Sequence, residues 1–315
     1  MNEITESQAS CRVAILLCTY NGAEFLEHQL RSLVSQSHSN WTIFASDDGS
    51  SDSTLSILQA FQNELGSQRL QIFQGPRRGF AKNFMSLVYH PAINADFYAF
   101  CDQDDEWFPD KLARGLAALR RVPRETPALY CSRTKLVDSK LRPIGFSPLF
   151  RKPARFRNAL VQSIAGANTM LINQTTKRLL SQVDPHATVV AHDWLTYMIV
   201  SSCNGEVVYD PHPTLAYRQH DGNLIGANSS IGLRLLRIGQ LFSGRFRIWT
   251  DQNLAALVPI RHLMAPSSQQ AITYFETARI SPLGRRLSMM KKAGIYRQTL
   301  FGNISLVLGA FANKI

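Results

Sequence analysis

Through its first third the chain alternates short apolar runs with helical stripes, and that alternation leaves few folds open. VAILLCTY (13–20) is continuously apolar, as a strand covered on both faces must be. Asn21, with Glu24 three residues on, has the form of a capping box, and Phe25, Leu26, Leu30, Leu33 and Val34 follow at helical spacing. The unit recurs in WTIFAS (41–46), the turn and cap DDGSSD (47–52), and the stripe Leu55, Ile57, Leu58 and Phe61. RLQIFQ (69–74), the turn GPRRG and the stripe Phe80, Phe84, Leu87 and Val88 repeat it again. A fourth strand, DFYAFC (96–101), leads to a helix from Pro109, whose missing N–H costs nothing in a first turn. The pattern predicts an α/β fold with a doubly wound, mostly parallel sheet, which binds ligands beyond the carboxyl ends of its strands. Thr19-Tyr20-Asn21, Asp47-Asp48 and Asp102 to Asp104 all fall at that edge.

After about residue 125 the rhythm loosens. PALYCSRTKLVD (127–138) and GANTMLIN (166–173) are predicted strands, HDWLTYMIVSSC (192–203) a helix, and TLAYRQHDGN (214–223) a strand running into a polar loop. Charge then becomes uneven: residues 1–230 hold 22 Lys and Arg against 21 Asp and Glu, whereas residues 231–315 hold 12 against 2. In that tail Ile231, Leu235, Ile238, Phe242 and Trp249 recur at steps of three, four or seven, with Arg234, Arg237 and Arg245 on another side. A basic amphipathic helix of this kind suits an anionic membrane interface, and packing on the preceding domain is the alternative; Gly244 predicts a break midway. TLFGNISLVLGAF (299–311) is too short to span a bilayer and also suits surface docking. Nucleic acid is disfavoured as a partner, because the tail is more apolar than a phosphate-tracking arm needs to be.

The opening MNEITESQAS is polar and acidic, unlike a secretory signal, and no window has the roughly 18 unbroken apolar residues of a spanning helix. The expectation is a cytoplasmic protein, peripheral on the cytosolic face of the inner membrane. Its five cysteines are odd in number, widely spaced and without a CxxC pair, which argues against a disulfide framework or a zinc site.

The sharpest chemical signal is FYAFCDQDDEW (97–107), an apolar strand ending in Asp102, Asp104, Asp105 and Glu106. Carboxylates crowded at a strand end repel and raise one another's pKa unless a cation sits between them, and oxygen donors suit Mg²⁺ or Mn²⁺. A solvated acidic loop capping the next helix through Asp105 or Glu106 is the alternative. Asp48 is placed to accept hydrogen bonds from the N–H of a base or from a ribose, since Ser50, Ser51 or Asp52 serves equally well to cap the following helix.

Together these segments resemble the family 2 glycosyltransferases, whose nucleotide-binding half has the GT-A fold. LLCTYNGAEFLEHQLRSLVSQSHSNWTIFASDDGSSDST (16–54) is similar to their N-terminal signature, and the likeness continues through GFAKNF (79–84), FCDQDDEW (100–107), AHDWLTYM (191–198) and YRQHDGNLIGA (217–227). The DQDDxW, HDW and YRQHxxN versions are most similar to the bacterial branch of rhamnosyltransferases for surface polysaccharides. The resemblance implies a GT-A domain over 12–228, split into a nucleotide-sugar half (12–125) and an acceptor half (126–228). A flexible N-terminus (1–11) would precede it and a helical basic C-terminal region (229–315) follow.

It also implies roles. The partners would be a nucleoside-diphosphate sugar, with dTDP or UDP as carrier, and a lipid-linked or saccharide acceptor. Asp102 and Asp104 would hold Mn²⁺ or Mg²⁺ with His220, whose neutral imidazole suits Mn²⁺ better, and Asp105 would support them. Thr19, Tyr20, Asp48 and Asp102 would bind the base and ribose, Lys82 and Asn83 the diphosphate or ribose, and Arg218 the diphosphate through its planar fork. Asp193 would be the catalytic base, kept ionised by the start of its helix; His192 and Trp194 would line the acceptor site. Two rivals remain. A sugar-nucleotide pyrophosphorylase needs a Gly-rich basic loop after the first strand, which CTYNGAEF lacks; a non-catalytic glycan-binding or scaffold protein needs no intact acids, and here they are intact.

Overall fold

The computed structural model describes residues 11–220 and 244–315. The first units are β1 (Val13–Thr19), α1 (Leu26–Val34), β2 (Trp41–Asp47), α2 (Thr54–Leu65), β3 (Leu70–Gln74), α3 (Phe80–Tyr89) and β4 (Phe97–Cys101). Strand β1 pairs in parallel with β2 and β4, and β2 with β3, giving the order β3-β2-β1-β4. All seven residues of β1 are buried because both faces are covered. On one face Leu16, Phe84, Phe100 and Leu195 pack together; on the other, Leu17, Leu30, Trp107 and Leu112.

The later elements are β5 (Glu106–Trp107), α4 (Lys111–Leu119), β6 (Ala128–Asp138), β7 (Pro143–Phe146), α5 (Phe156–Ala159), β8 (Leu171–Asn173), α6 (Gln174–Leu180), α7 (His192–Ser202) and β9 (Glu206–Gln219). They extend the same sheet to β3-β2-β1-β4-β8-β6-β9-β5, with β7 beside β6. This half is mixed where the sequence predicts mostly parallel pairing: β8 runs antiparallel to β4 and β6, and β5 antiparallel to β9, while β6 and β9 are parallel. The pairing of Glu106 and Trp107 with Ala216 and Leu215 carries the acid cluster and the end of β9 to one place.

Three local expectations change, and a fourth is not covered. Helix α1 begins at Leu26 without a side-chain cap; Asn21 instead takes φ 47°, and its Oδ1 accepts the Ser51 N–H at 2.8 Å, joining two loops. Helix α4 starts at Lys111 rather than Pro109. GANTMLIN is a 3₁₀ turn (Ala167–Thr169) followed by only three strand residues. The amphipathic pattern over 231–242 lies outside the described residues.

Beyond it, Gly244 (φ 80°) precedes α8 (Arg245–Ala256), which is followed by α9 (Pro266–Ile280), α10 (Leu283–Ala293) and α11 (Leu300–Phe311). These helices share a hydrophobic core with the sheet and its helices through Phe246, Phe275 and Leu306. The Ala265 N–H donates to Ser202 O at 2.9 Å, and Asn158 Nδ2 donates to Tyr296 O at 2.9 Å. The described part of the tail is therefore packed on the elements of residues 126–220.

Gly205, between α7 and β9, sets where β9 starts. A Cβ there would lie 2.5 Å from Val200 O and 2.6 Å from Pro127 O, both main-chain atoms that cannot swing aside. Gly205→Ala is expected to cost about 1–3 kcal/mol through overpacking, read as a lower urea midpoint at unchanged m.

Candidate active site

The carboxyl ends of β1 and β2 form one wall. Thr19, buried, donates its Oγ1 hydrogen to Asp47 Oδ1 at 2.9 Å, and Asp47 also accepts from Ser50 Oγ and the N–H groups of Gly49 and Ser50. Asp47 is thus consumed in shaping its own turn, and Asp48, also buried, faces the loop before α3. Asp48 accepts from the N–H of Arg77 at 2.6 Å through Oδ1 and from that of Gly79 at 2.8 Å through Oδ2, fixing the loop that opens α3. A carboxylate oxygen has further lone pairs, so this anchoring leaves acceptor capacity. Tyr20 is 59% exposed at the same edge. Its main chain is clamped by Gln103, which accepts the Tyr20 N–H at 2.8 Å and donates to Tyr20 O at 3.0 Å. Sequence reasoning passes over Gln103; its one trace is the adjacent Gly22, where a Cβ would lie 2.2 Å from Gln103 Oε1.

The acids form the opposite wall. His220 Nε2 lies 2.9 Å from Asp104 Oδ2, and the ring rests 4.7 Å from that of Phe25. Asp105 is fully buried and accepts from Asn168 Nδ2 at 2.5 Å and from the Arg218 N–H at 3.3 Å, so it is an internal anchor for this loop. Burial, then Asp104 and Asp102, push its carboxyl well above the usual range. Burial first, then Asp104 and Asp193, push Asp102 up as well. That Asp193 acts on Asp102 places the start of α7 at the same edge, although the two are far apart in sequence. Asp193 accepts the Trp194 N–H at 2.6 Å, and burial raises its carboxyl to about 6. Desolvation outweighs the helix start that the sequence reading expected to keep it ionised at lower pH.

Five of the predicted contacts are spent on the protein itself. Arg218 is buried; it donates from Nε to Asp104 O at 2.9 Å and from Nη1 to Ser139 O at 2.6 Å, and its guanidinium lies 4.6 Å over the Phe25 ring. Its fork holds the acidic loop in place rather than reaching for a diphosphate. Lys82 Nζ donates to Pro185 O and Ala187 O, both at 2.6 Å, tying α3 to the loop before α7. Asn83, buried, exchanges two hydrogen bonds with Ser46. Trp194 is a core residue, its Nε1 donating to Ala159 O at 2.6 Å, and not an exposed acceptor wall.

His192 is likewise no acceptor contact. It stacks on Phe84 at 4.0 Å beside Phe100 and Phe80, and neither ring nitrogen has a hydrogen-bond partner. Burial lowers it from 6.5 to about 3, so it is held neutral. The unfolded chain binds this proton more readily, so folding stability is expected to fall as pH drops from about 6.5 towards 3. His192→Phe should flatten that part of the pH–stability curve and, by removing two unpaired buried nitrogens, match or exceed the wild type at pH 7.

The donor types fit a divalent cation such as Mn²⁺ or Mg²⁺: two carboxylates and an imidazole, with Asp102 pushed up by burial and then by the Asp104 and Asp193 charges, which a cation would offset. Among the described residues no three His, Cys, Asp or Glu side chains converge as a metal cage.

A parallel half sheet with crowded acids beyond its switch in strand order defines an α/β protein whose ligand site is expected at the carboxyl edge. The sequence pattern of Glycosyl transferase family 2 matches residues 14–180, and the chain belongs to that family. It is 30% identical over 237 residues to a dTDP-rhamnosyl transferase, RfbG, of Shigella flexneri, a match covering 71% of this chain and 78% of that protein. Among solved structures it is similar to TarS 1-349 of S. aureus in complex with UDP-GlcNAc (TM-score 0.53, 14% identity, 90% of this chain and 93% of that one). It is also similar to the mannosyltransferase PcManGT from Pyrobaculum calidifontis in complex with GDP-Man and Mn2+ (TM-score 0.52, 15% identity, 96% and 86%). The fold is GT-A and the protein is a glycosyltransferase. The family match takes in Asp48, Asp102 and Asp104 and stops before Asp193 and His220.

Proposed function

We propose that the protein is an inverting transferase that moves a sugar, with rhamnose the first candidate, from a dTDP- or UDP-sugar to an acceptor hydroxyl in the assembly of a bacterial surface polysaccharide. What carries this is the family membership together with the strand-end acids Asp102 and Asp104, where the Asp193 charge adds to the push on Asp102 although it comes from a distant element. The similarity to the dTDP-rhamnosyl transferase of Shigella flexneri supports the sugar and its carrier. Thr19, Tyr20 and Asp48 hold the base and ribose; Asp102, Asp104 and His220 hold Mn²⁺ or Mg²⁺. Such an ion, when bound, neutralises charge on the departing diphosphate. Asp193 takes the proton of the acceptor hydroxyl as its oxygen attacks the anomeric carbon from the face opposite the diphosphate. With its carboxyl near 6, about nine in ten copies are ionised at pH 7 and ready to accept that proton. Gln103, Asp105, Lys82, Asn83 and Arg218 position these groups. The acceptor is a saccharide or a lipid-linked intermediate, met at the cytosolic face of the membrane.

The test is release of nucleoside diphosphate from a panel of dTDP-, UDP- and GDP-sugars with Mn²⁺ or Mg²⁺, paired with thermal shift to read donor binding without an acceptor. Metal-dependent binding and turnover of a dTDP- or UDP-sugar are expected; absence of any metal-dependent donor binding overturns the reading.

A further inference from the structure

Helix α11 presents an apolar stripe to solvent. Leu300, Phe301, Ile304, Val307, Leu308 and Phe311 are all exposed, Leu300 and Phe301 to 73% and 74%, while Leu306, Gly309 and Ala310 face the protein. This is not a fraying end. Thr299 Oγ1 accepts the Gly302 N–H at 3.0 Å, Asn303 is bonded to both main-chain groups of Arg297, and the buried Arg286 donates to Ala310 O at 2.7 Å. Arg286 also donates to Ser281 O at 2.9 Å, bringing the α9–α10 turn to the end of α11. That turn carries Ile280, 83% exposed, and Leu283. An apolar surface of this size, rigidly held, marks an interaction site.

The surrounding charge says what covers it. Residues 244–315 contain ten Lys and Arg and two acids. Both acids are neutralised, Asp251 by Arg279 at 2.6 Å and Glu276 by Arg261 at 3.1 Å, whereas Arg245, Arg285, Lys291 and Lys292 are exposed. A second copy of the chain would bring two such basic surfaces together. It would also meet a helix face only about 18 Å long, too small for the roughly 800 Å² per partner of a stable interface. No described helix is long and apolar enough to cross a membrane. We propose that α11, with Ile280 and Leu283, docks the protein on an anionic bilayer surface, its apolar stripe in the headgroup boundary and its exposed Lys and Arg on acidic lipid. This surface is separate from the donor site, so the inference stands or falls apart from the transferase reading.

Sedimentation of the full chain with phosphatidylcholine vesicles, alone or mixed with phosphatidylglycerol, tests it. Wild type is expected to bind the mixed vesicles in a salt-sensitive way and the neutral ones weakly. Phe301→Asp with Ile304→Asp should lose about tenfold or more in vesicle affinity, and Lys291→Glu with Lys292→Glu should lose the preference for phosphatidylglycerol. Both variants change exposed side chains, so thermal midpoint and donor thermal shift should match wild type. Three results would overturn the inference: no binding of wild type to anionic vesicles, equal binding by the Phe301/Ile304 variant, or a solution dimer that this variant dissolves.

Discussion

Asp193→Asn is expected to lower kcat by about 10²–10⁴-fold while leaving donor affinity within a few-fold, since a base acts on the acceptor proton in the transition state and not on the bound nucleotide. The wild-type kcat/KM should rise with pH through a limb near 6, because only the carboxylate form of Asp193 accepts a proton. The residual activity of the variant should lack that limb. Stability is expected to move the other way. Burial raises this carboxyl in the folded chain from 3.8 to about 6, so its protonated form is favoured on folding; that contribution is present below about pH 4 and lost as pH rises through 6. An amide carries no charge to bury, so Asp193→Asn should be about 1–3 kcal/mol more stable than wild type at pH 7, and no more stable at pH 4. A purely structural cap would leave turnover unchanged in this variant, since Asn caps a helix about as well as Asp. Wild-type turnover by Asp193→Asn would remove this residue from the mechanism.

The fold was legible where burial on both faces writes itself into continuous apolar runs, as in β1 to β4, and where a helix stripe has an unambiguous period, as in α3. It was less so after residue 125, because an antiparallel insertion such as β8 is three residues long and carries no pattern of its own. Within the site, the strand-end acids were visible as a violation: nothing else in the chain crowds charge against an apolar run in that way. What sequence could not show is the direction in which neighbours point. His192 and Trp194 flank Asp193, and helical geometry turns both into the core while their neighbour reaches the edge. Arg218 and Lys82 looked like free cations, yet each finds main-chain oxygens that sit dozens of residues away in sequence. Asn83 is spent on Ser46 by the same logic, and Gln103 escaped notice because an amide between two acids has no signature until its partner, the Tyr20 main chain, is seen.

Asp104→Ala is expected to abolish metal-dependent donor binding and to lower kcat by about 10²–10³-fold, the size of effect found when one group that stabilises developing charge is removed. The backbone supports a clean reading of this variant. Arg218 Nε holds the Asp104 carbonyl oxygen, and Asp105 holds the Arg218 N–H, so truncating the Asp104 side chain leaves the loop fastened. Asp105→Ala makes the contrast: it removes a buried anchor that accepts from Asn168 and Arg218, and its main effect should be a lower thermal midpoint with donor binding reduced only in proportion to unfolding. Stripping metal from the wild type with a chelator should reproduce the Asp104→Ala phenotype, and adding chelator to Asp104→Ala should change nothing further. His220 then discriminates between ions. Its Nε2 contacts Asp104 Oδ2, so His220→Ala should impair Mn²⁺-supported turnover more than Mg²⁺-supported turnover, imidazole being the better partner of the softer ion. A donor thermal shift that persists in Asp104→Ala with the same metal requirement as wild type would move the ion away from this acid pair and leave Asp102 and Asp104 as nucleotide contacts alone.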